Sequence, residues 1–504
     1  WLSEAQGLPA QTAWAFLQEA SPNFHQIVET LESGRGQILR EALERQRADI
    51  ERFPSWGYKD LHDRWKNTLA NERSLQHLPL QRRDSLWFDQ IQAIKRQIKA
   101  LAQEIRDRVG KEHPEFRYFL QSLPFDEIQR QAKEAPLVYL AGTARGGFAL
   151  IVREQGEAQV VNLPRLTETA LRERVQGPDS DPRLGGFLGA YFKFKRERNF
   201  YGWLKELEWL LEWLGEAVVA PLLEALHGEN RAVLIPGGWL GLLPLHAARL
   251  PQGGYALDHM TFVYAPSAQA LYHARRRLNG GEEHLLAVDN PRGDLFYTPW
   301  EVRAVLRHFS HNHTHLLGKQ ATRGAVTEAL PRASVLHFST HGNAGWRDSQ
   351  QAGVLLAGEE SLSLKDLYGL HLSQAQVAVL SACETALPGM KAIDEVLSLP
   401  AGWMLAGVPR VVGSLWSVDD LSTAMLMARF YDLWRGEGKP VAEALRQAQI
   451  WLRDTPLEDM LRYWRGYPDR QAGLVFHRHL TLRANSLHLS RPYYWAGFAC
   501  VGLP

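Results

Sequence analysis

The sequence predicts an α/β protein, a largely parallel sheet flanked by helices and preceded by a helical arm. Three observations carry this. From Leu137 onward, short apolar runs recur, each closed by glycine, proline or polar residues, as buried parallel strands are. Helical stretches lie between them, and strand–helix alternation argues for a sheet covered on both faces. Before Leu137 the chain is instead rich in charge and helix formers, with Ile91, Ile94, Ile98, Leu101 and Ile105 spaced three and four apart. That spacing lays an apolar stripe along a helix.

Residues 1–134 are therefore expected to form a helical arm or linker region, its stripe packing within the chain or serving a partner. No self-similarity of about 34 residues marks a repeat array. Residues 135–281 open with Leu137-Val138-Tyr139-Leu140 and Phe148-Ala149-Leu150-Ile151-Val152 around Gly146-Gly147, a hairpin signal. A tryptophan-rich amphipathic helix follows around Trp203–Leu226, then the strand Ala232-Val233-Leu234-Ile235. The turn formers Asn279-Gly280-Gly281 mark the best boundary. Residues 282–504 restart the alternation with Leu285-Leu286-Ala287-Val288 and a helix near Trp300–Phe309. Two further strands are Val335-Leu336-His337-Phe338-Ser339 and Val377-Ala378-Val379-Leu380.

Composition narrows the function. The 504 residues give room for a substantial core, and a net charge of +1 makes no broad basic field, so charge gives no sign of nucleic-acid binding. Two cysteines, Cys383 and Cys500, make no disulfide framework and suit a reducing, cytoplasmic compartment. The start, Trp1-Leu2-Ser3-Glu4, lacks the pattern of a secretory signal, and it lacks Met, so upstream sequence is expected. The most apolar window, Val396–Trp416, is interrupted by Pro400, Pro409 and Arg410 and reads as a buried helix and strand, with no membrane span.

The chemistry gathers at two strand ends. Thr340-His341-Gly342 follows one strand and Ser381-Ala382-Cys383 the other, with Cys383 lying 42 positions after His341. In open α/β sheets reactive groups collect at the carboxyl ends of strands, so neighbouring strands can present an imidazole and a thiol together, as nucleophilic cysteine catalysis requires. The order fits a caspase-type arrangement, in which the histidine precedes the cysteine by about 50 residues. Cys383 becomes a better nucleophile beside a cation or a helix start after Glu384-Thr385, and Gly342 lets a substrate backbone approach closely. His337 lies inside its strand and is expected to pack.

The motifs His337-Phe338-Ser339-Thr340-His341-Gly342, Leu380-Ser381-Ala382-Cys383-Glu384-Thr385, Asp394-Glu395-Val396-Leu397-Ser398-Leu399, Ala406-Gly407-Val408 and Gly413-Ser414-Leu415-Trp416-Ser417-Val418-Asp419-Asp420 occur in that order. Together they resemble the CHAT domain, a caspase-like peptidase domain of the clan of caspases, separase and gingipain, often found with tetratricopeptide repeats. Leu234-Ile235-Pro236-Gly237-Gly238 and Tyr493-Tyr494-Trp495-Ala496 extend the resemblance to roughly residues 135–504. It implies a caspase-like fold in two copies, a degenerate one at 135–281 and a catalytic one at 282–504. It implies a bacterial cysteine endopeptidase with a Cys383–His341 dyad and an oxyanion hole from the backbone N–H groups of Gly342 and Cys383. It also implies a specific protein substrate and control by a partner or an upstream sensor region.

Asp394, Asp419 and Asp420 are the candidates for binding a basic substrate residue. Asp419-Asp420 also reads as the N-cap of a helix over Leu421–Leu433, and Asp394-Glu395 as a pair that holds a loop by hydrogen bonds. His308, His311, His313 and His315 cluster, but no carboxylate or cysteine completes a metal site in the sequence nearby, so no metal or other cofactor is expected. Zinc-protease, serine-hydrolase and phosphate-loop motifs are missing. A catalytically silent interaction scaffold on the same fold is the alternative reading.

Overall fold

Among the described residues, eleven strands join one sheet, in the order Gln159–Leu163, Gly146–Val152, Leu137–Thr143, Arg231–Pro236, Thr261–Tyr264, Phe498–Gly502, Arg410–Ser414, Val377–Ser381, Val335–Ser339, Leu285–Asp289 and His313–Leu317. The computed structural model describes residues 7–35, 48–76, 78, 84–178, 185–278, 282–309, 311–343, 345, 349–383, 385 and 398–504. They fall into two units, residues 38–123 and residues 1–37 with 124–504. In the smaller unit, the helices Lys59–Gln76 and Ser85–Glu112 bury Trp65, Ile98, Leu101 and Ile105 with Phe53, Phe116 and Phe119. The expected apolar stripe thus finds its cover inside this unit.

In the larger unit, the hairpin β1 (Leu137–Thr143) and β2 (Gly146–Val152) turns at Ala144-Arg145, with the two glycines paired as the first residues of β2, and β3 (Gln159–Leu163) extends it antiparallel. The parallel strands β4 (Arg231–Pro236) and β5 (Thr261–Tyr264) continue from β1. The second half holds β6 (Leu285–Asp289), β7 (His313–Leu317) and β8 (Val335–Ser339). A small separate sheet of β9 (Gly342–Asn343), β10 (Gly353–Leu355) and β11 (Ser361–Ser363) follows. The main sheet then takes up β12 (Val377–Ser381), β13 (Arg410–Ser414) and β14 (Phe498–Gly502). Strands β13, β12, β8, β6 and β7 are mutually parallel. Strand β14 runs antiparallel to β13 but parallel to β5. The two halves therefore point in opposite directions, and their carboxyl ends lie at opposite edges of the sheet. They meet at a single registered pair, Val501 and Tyr264.

Alternation along β8 explains the layers. His337 faces the helices Thr298–Leu306 and Asp420–Tyr431, through Glu301 and Tyr431. Phe338 faces the other way, onto Trp403 of the helix Leu399–Ala406 with ring centroids 5.3 Å apart. The window Val396–Trp416 thus contains that buried helix and β13. Part of the N-terminal region belongs to this unit. Glu32, in the helix Phe24–Ser33, accepts from the Tyr139 hydroxyl at 2.8 Å and from the Gln269 N–H at 2.7 Å, and Arg35 donates to the Ile235 carbonyl at 2.6 Å. Among the described residues, no helix is long and apolar enough to cross a membrane.

Candidate active site

Strands β8 and β12 are adjacent, parallel and level, with Ser339 opposite Ser381. The Thr340 N–H donates to the Ser381 carbonyl at 3.3 Å, which ties the two chains together just where they leave the sheet. His341 and Cys383 each lie two residues beyond. Gly342 shows how closely the two segments pass: a Cβ built on it would stand 2.0 Å from the Cys383 carbonyl oxygen and 3.1 Å from Thr385 Cγ2. Only glycine fits there without moving backbone. The Cys383 turn is braced from β13, where the Ser414 hydroxyl donates to the Ala382 carbonyl and the Ser414 N–H donates to Thr385 Oγ1 at 2.9 Å.

Cys383 is partly exposed, and the Ser417 hydroxyl donates to its Sγ at 3.4 Å. Ser417 is held in turn by its N–H, which donates to the Tyr191 hydroxyl at 2.9 Å. The imidazole Nε2 of His341 lies 3.0 Å from Asp294 Oδ1. The bond from the Leu355 N–H to the His341 carbonyl, 2.8 Å long, makes His341 and Leu355 a hydrogen-bonded pair of the β9–β10 ladder. Gly342 is then the alternate position, and its own N–H points away from β10.

The acidic candidates separate. Asp419 caps the helix Asp420–Tyr431 by accepting from the Ser422 N–H at 3.0 Å, and its other oxygen pairs with Arg483 at 2.9 Å. The ionisation of Tyr493, a buried phenol, is driven up first by burial and then by the charges of Asp419 and Cys383. Asp420 accepts from the Tyr297 N–H at 3.1 Å, and burial pushes its carboxyl up to about 6. Asp394 lies outside the described residues, as do the segment following Thr385 and the boundary Asn279-Gly280-Gly281.

His337 is a fully buried core histidine, 3.1 Å from Glu301 and 3.2 Å from the Tyr431 hydroxyl. The clustered histidines part ways: His308 meets Asp432, His313 the Phe309 carbonyl and His315 Asp289. Among the described residues, no group of three or more histidine, cysteine or acidic side chains could hold a metal. Cys500 is buried in β14, and burial pushes its thiol up to about 12.

The family model of the CHAT domain matches residues 208–503, more than half of the chain. The chain belongs to the CHAT family. Its fold is a mixed, mostly parallel sheet flanked by helices. The match covers the whole His341 and Cys383 region and starts within the helix Phe200–Leu214, later than the resemblance seen in the sequence. A search of curated proteins finds no match. Among solved structures, the separase–securin complex of Saccharomyces cerevisiae at 3.0 Å is similar over 100% of this CHAT chain and 39% of that chain, at 11% identity and a TM-score of 0.49. A 2.6 Å structure of the same complex aligns over 98% and 37%, at 11% identity and 0.46. The Arg-specific cysteine proteinase gingipain R aligns over 60% and 67%, at 9% identity and 0.34. The CHAT chain spans about two fifths of the separase chain it matches.

Sequence reasoning missed Asp294, Ser417 and Tyr493 as neighbours of the site. Ser417 and Tyr493 sit inside quoted motifs of the CHAT resemblance, so a signal existed. Asp294 lies in the loop after β6, and nothing in its spacing points to His341.

Proposed function

We propose that this CHAT protein is a cysteine endopeptidase acting on a specific protein partner, with Cys383 as nucleophile and His341 as base. The observation that carries the reading is the packing of Gly342 on the Cys383 carbonyl. It keeps a half-buried histidine and a partly exposed cysteine at the ends of adjacent strands, which supports a nucleophile–base pair there.

In this mechanism His341 takes the proton of the Cys383 thiol, and the sulfur attacks the carbonyl carbon of the scissile peptide. The carbonyl oxygen gains negative charge and is met by the N–H groups of Gly342 and Cys383. The outward-turned N–H of Gly342 supports that role. When the intermediate collapses, the C–N bond breaks and the imidazolium gives its proton to the departing amine. A thioester remains. Water, deprotonated by His341, then attacks it, the C–S bond breaks, and the proton returns to the sulfur.

Asp394, Asp419 and Asp420 are the proposed acids for a Lys or Arg before the scissile bond. Of the two described, Asp419 has the better support, because its carboxylate already holds a guanidinium, that of Arg483, whereas Asp420 accepts from the Tyr297 N–H. A substrate cation there would compete with Arg483. We take residues 135–281 as the silent copy and 282–504 as the catalytic one. Neither cysteine falls in the first segment, and its strands β1, β4 and β5 end at the other edge of the sheet. A regulatory protein or upstream sensor acting through the helical arm, residues 1–134, and a bacterial cytoplasmic setting complete the proposal.

The deciding experiment compares the newly formed protein termini in cells carrying the wild-type chain with those carrying Cys383→Ala or His341→Ala. Cleavages that vanish in both variants while the folded protein persists are the expected result. An unchanged set of termini rejects the peptidase reading.

A further inference from the structure

The loop that follows β6 is braced at both of its ends. Asn290 begins it in the left-handed region at φ 46°, a conformation asparagine tolerates better than most residues. The Asn290 N–H donates to the Ser339 carbonyl at 2.9 Å, fixing the loop to the end of β8. Its side chain then closes the turn: Nδ2 donates to the Leu295 carbonyl at 2.7 Å, and Oδ1 accepts from the Leu295 N–H at 3.2 Å. The far end is held by Tyr297, whose N–H donates to Asp420 and whose hydroxyl meets His479 Nδ1 at 2.9 Å. From the middle of this loop Asp294 reaches His341 Nε2 at 3.0 Å. Among the described residues, Nδ1 of His341 has no such partner.

A carboxylate on one ring nitrogen has two consequences. It fixes the neutral tautomer with the proton on Nε2, leaving Nδ1 with a free lone pair, and it stabilises the imidazolium once Nδ1 is protonated. We propose that Asp294 is the positioning residue of this site, orienting His341 so that Nδ1 receives the Cys383 proton and favouring the thiolate–imidazolium pair that results. The proposal rests on the cysteine-peptidase reading above. It also gives Asp420 a place in the site apart from substrate binding, since its bond to Tyr297 holds the loop that carries Asp294.

The test needs no substrate. The rate of alkylation of Cys383 by iodoacetamide is followed against pH in the full chain, with labelled residues assigned by mass spectrometry. Wild type, Asp294→Asn, Asp294→Ala, Asp294→Glu and His341→Ala are compared, with melting temperature as a check on folding. In the wild type, Cys383 is expected to react at about pH 6 far faster than an unactivated thiol, and His341→Ala to remove that advantage. Asp294→Asn and Asp294→Ala are expected to raise the midpoint of the profile by about one pH unit, which is a roughly tenfold slower reaction at about pH 6. Asp294→Glu is expected to restore part of the rate, and none of the melting temperatures should move. A residue that merely braced the loop would lower the melting temperature and leave the profile in place. Wild-type profiles in the Asn and Ala variants, beside an activated and His341-dependent Cys383, overturn the role of Asp294 alone. A Cys383 that is no more reactive than a free thiol in the wild type overturns the peptidase reading, and this proposal with it.

Discussion

Replacing Gly342 with alanine tests the contact on which the site is built. The added Cβ would lie 2.0 Å from the Cys383 carbonyl oxygen, where ordinary contact begins at 3.4 Å. The obstacle is backbone, so no rotamer relieves it. The His341 and Cys383 segments must separate by more than 1 Å, and misplacement on that scale costs about 100-fold in rate. That corresponds to about 2.7 kcal/mol of lost transition-state stabilisation. The general cost of overpacking, about 1–3 kcal/mol, falls on stability. The assay is the rate of Cys383 modification by a peptide-based electrophile, alongside a thermal melt, for wild type and Gly342→Ala. The expected outcome is a roughly 100-fold slower reaction in a protein that still unfolds cooperatively. A variant reacting within about threefold of wild type would refute the close passage of the two segments.

Cys500 should be almost inert beside Cys383: with its thiol pushed up to about 12, roughly one part in ten thousand is thiolate at pH 8, so comparable labelling of both cysteines in the folded protein contradicts the geometry. Asp420→Asn should stabilise the protein near neutral pH by on the order of 2 kcal/mol. The folded-state carboxyl is raised from 3.8 to about 6, so the wild type binds the extra proton when folded and loses stability as pH rises through that window. Denaturant melts at pH 4 and pH 7.5 check this, and equal gains at both pH values would dismiss it. Asp419→Asn keeps an N-cap side chain but removes the charge, so it should weaken any preference for Lys or Arg before the scissile bond in a peptide library while leaving the reactivity of Cys383 unchanged. An unaltered library profile excludes Asp419 from substrate selection.

Much of the architecture was legible because its cause is local. The runs around Leu137, Leu234, Leu286, Leu336 and Val379 are β-formers too short for helices, and each is a strand in the larger unit. The glycine pair marked the hairpin, although the turn itself is Ala144-Arg145 and both glycines lie in β2, and the Ile91–Ile105 spacing sets the buried side of its helix. The reversal between β13 and β14 was not legible. Strand direction in a sheet is decided by which elements pack together, and Phe498–Gly502 carries the same apolar signature either way. Asp294 was hidden for a related reason. It meets His341 across 47 residues of chain, through a loop whose shape comes from Asn290 and Asp420 and has no period to recognise. Asp419 was readable as a cap because capping depends on a residue and its immediate followers, whereas its pairing with Arg483 spans 64 positions.

The single registered pair between β5 and β14 has a mechanical meaning. Five registered pairs fasten β14 to β13, and four join β4 to β5, so the ladder is thinnest where the two halves meet. A twist applied at β1 and β4, where Glu32 and Arg35 grip the sheet, would spread through several rungs before arriving at one. In backbone rungs alone, the sheet resists shear least there. From that seam, β14 leads directly to β13, whose last residue, Ser414, clamps the turn that bears Cys383. The sheet thus links the grip of the N-terminal helix on β1 and β4 to the turn that bears Cys383, with its thinnest joint between them.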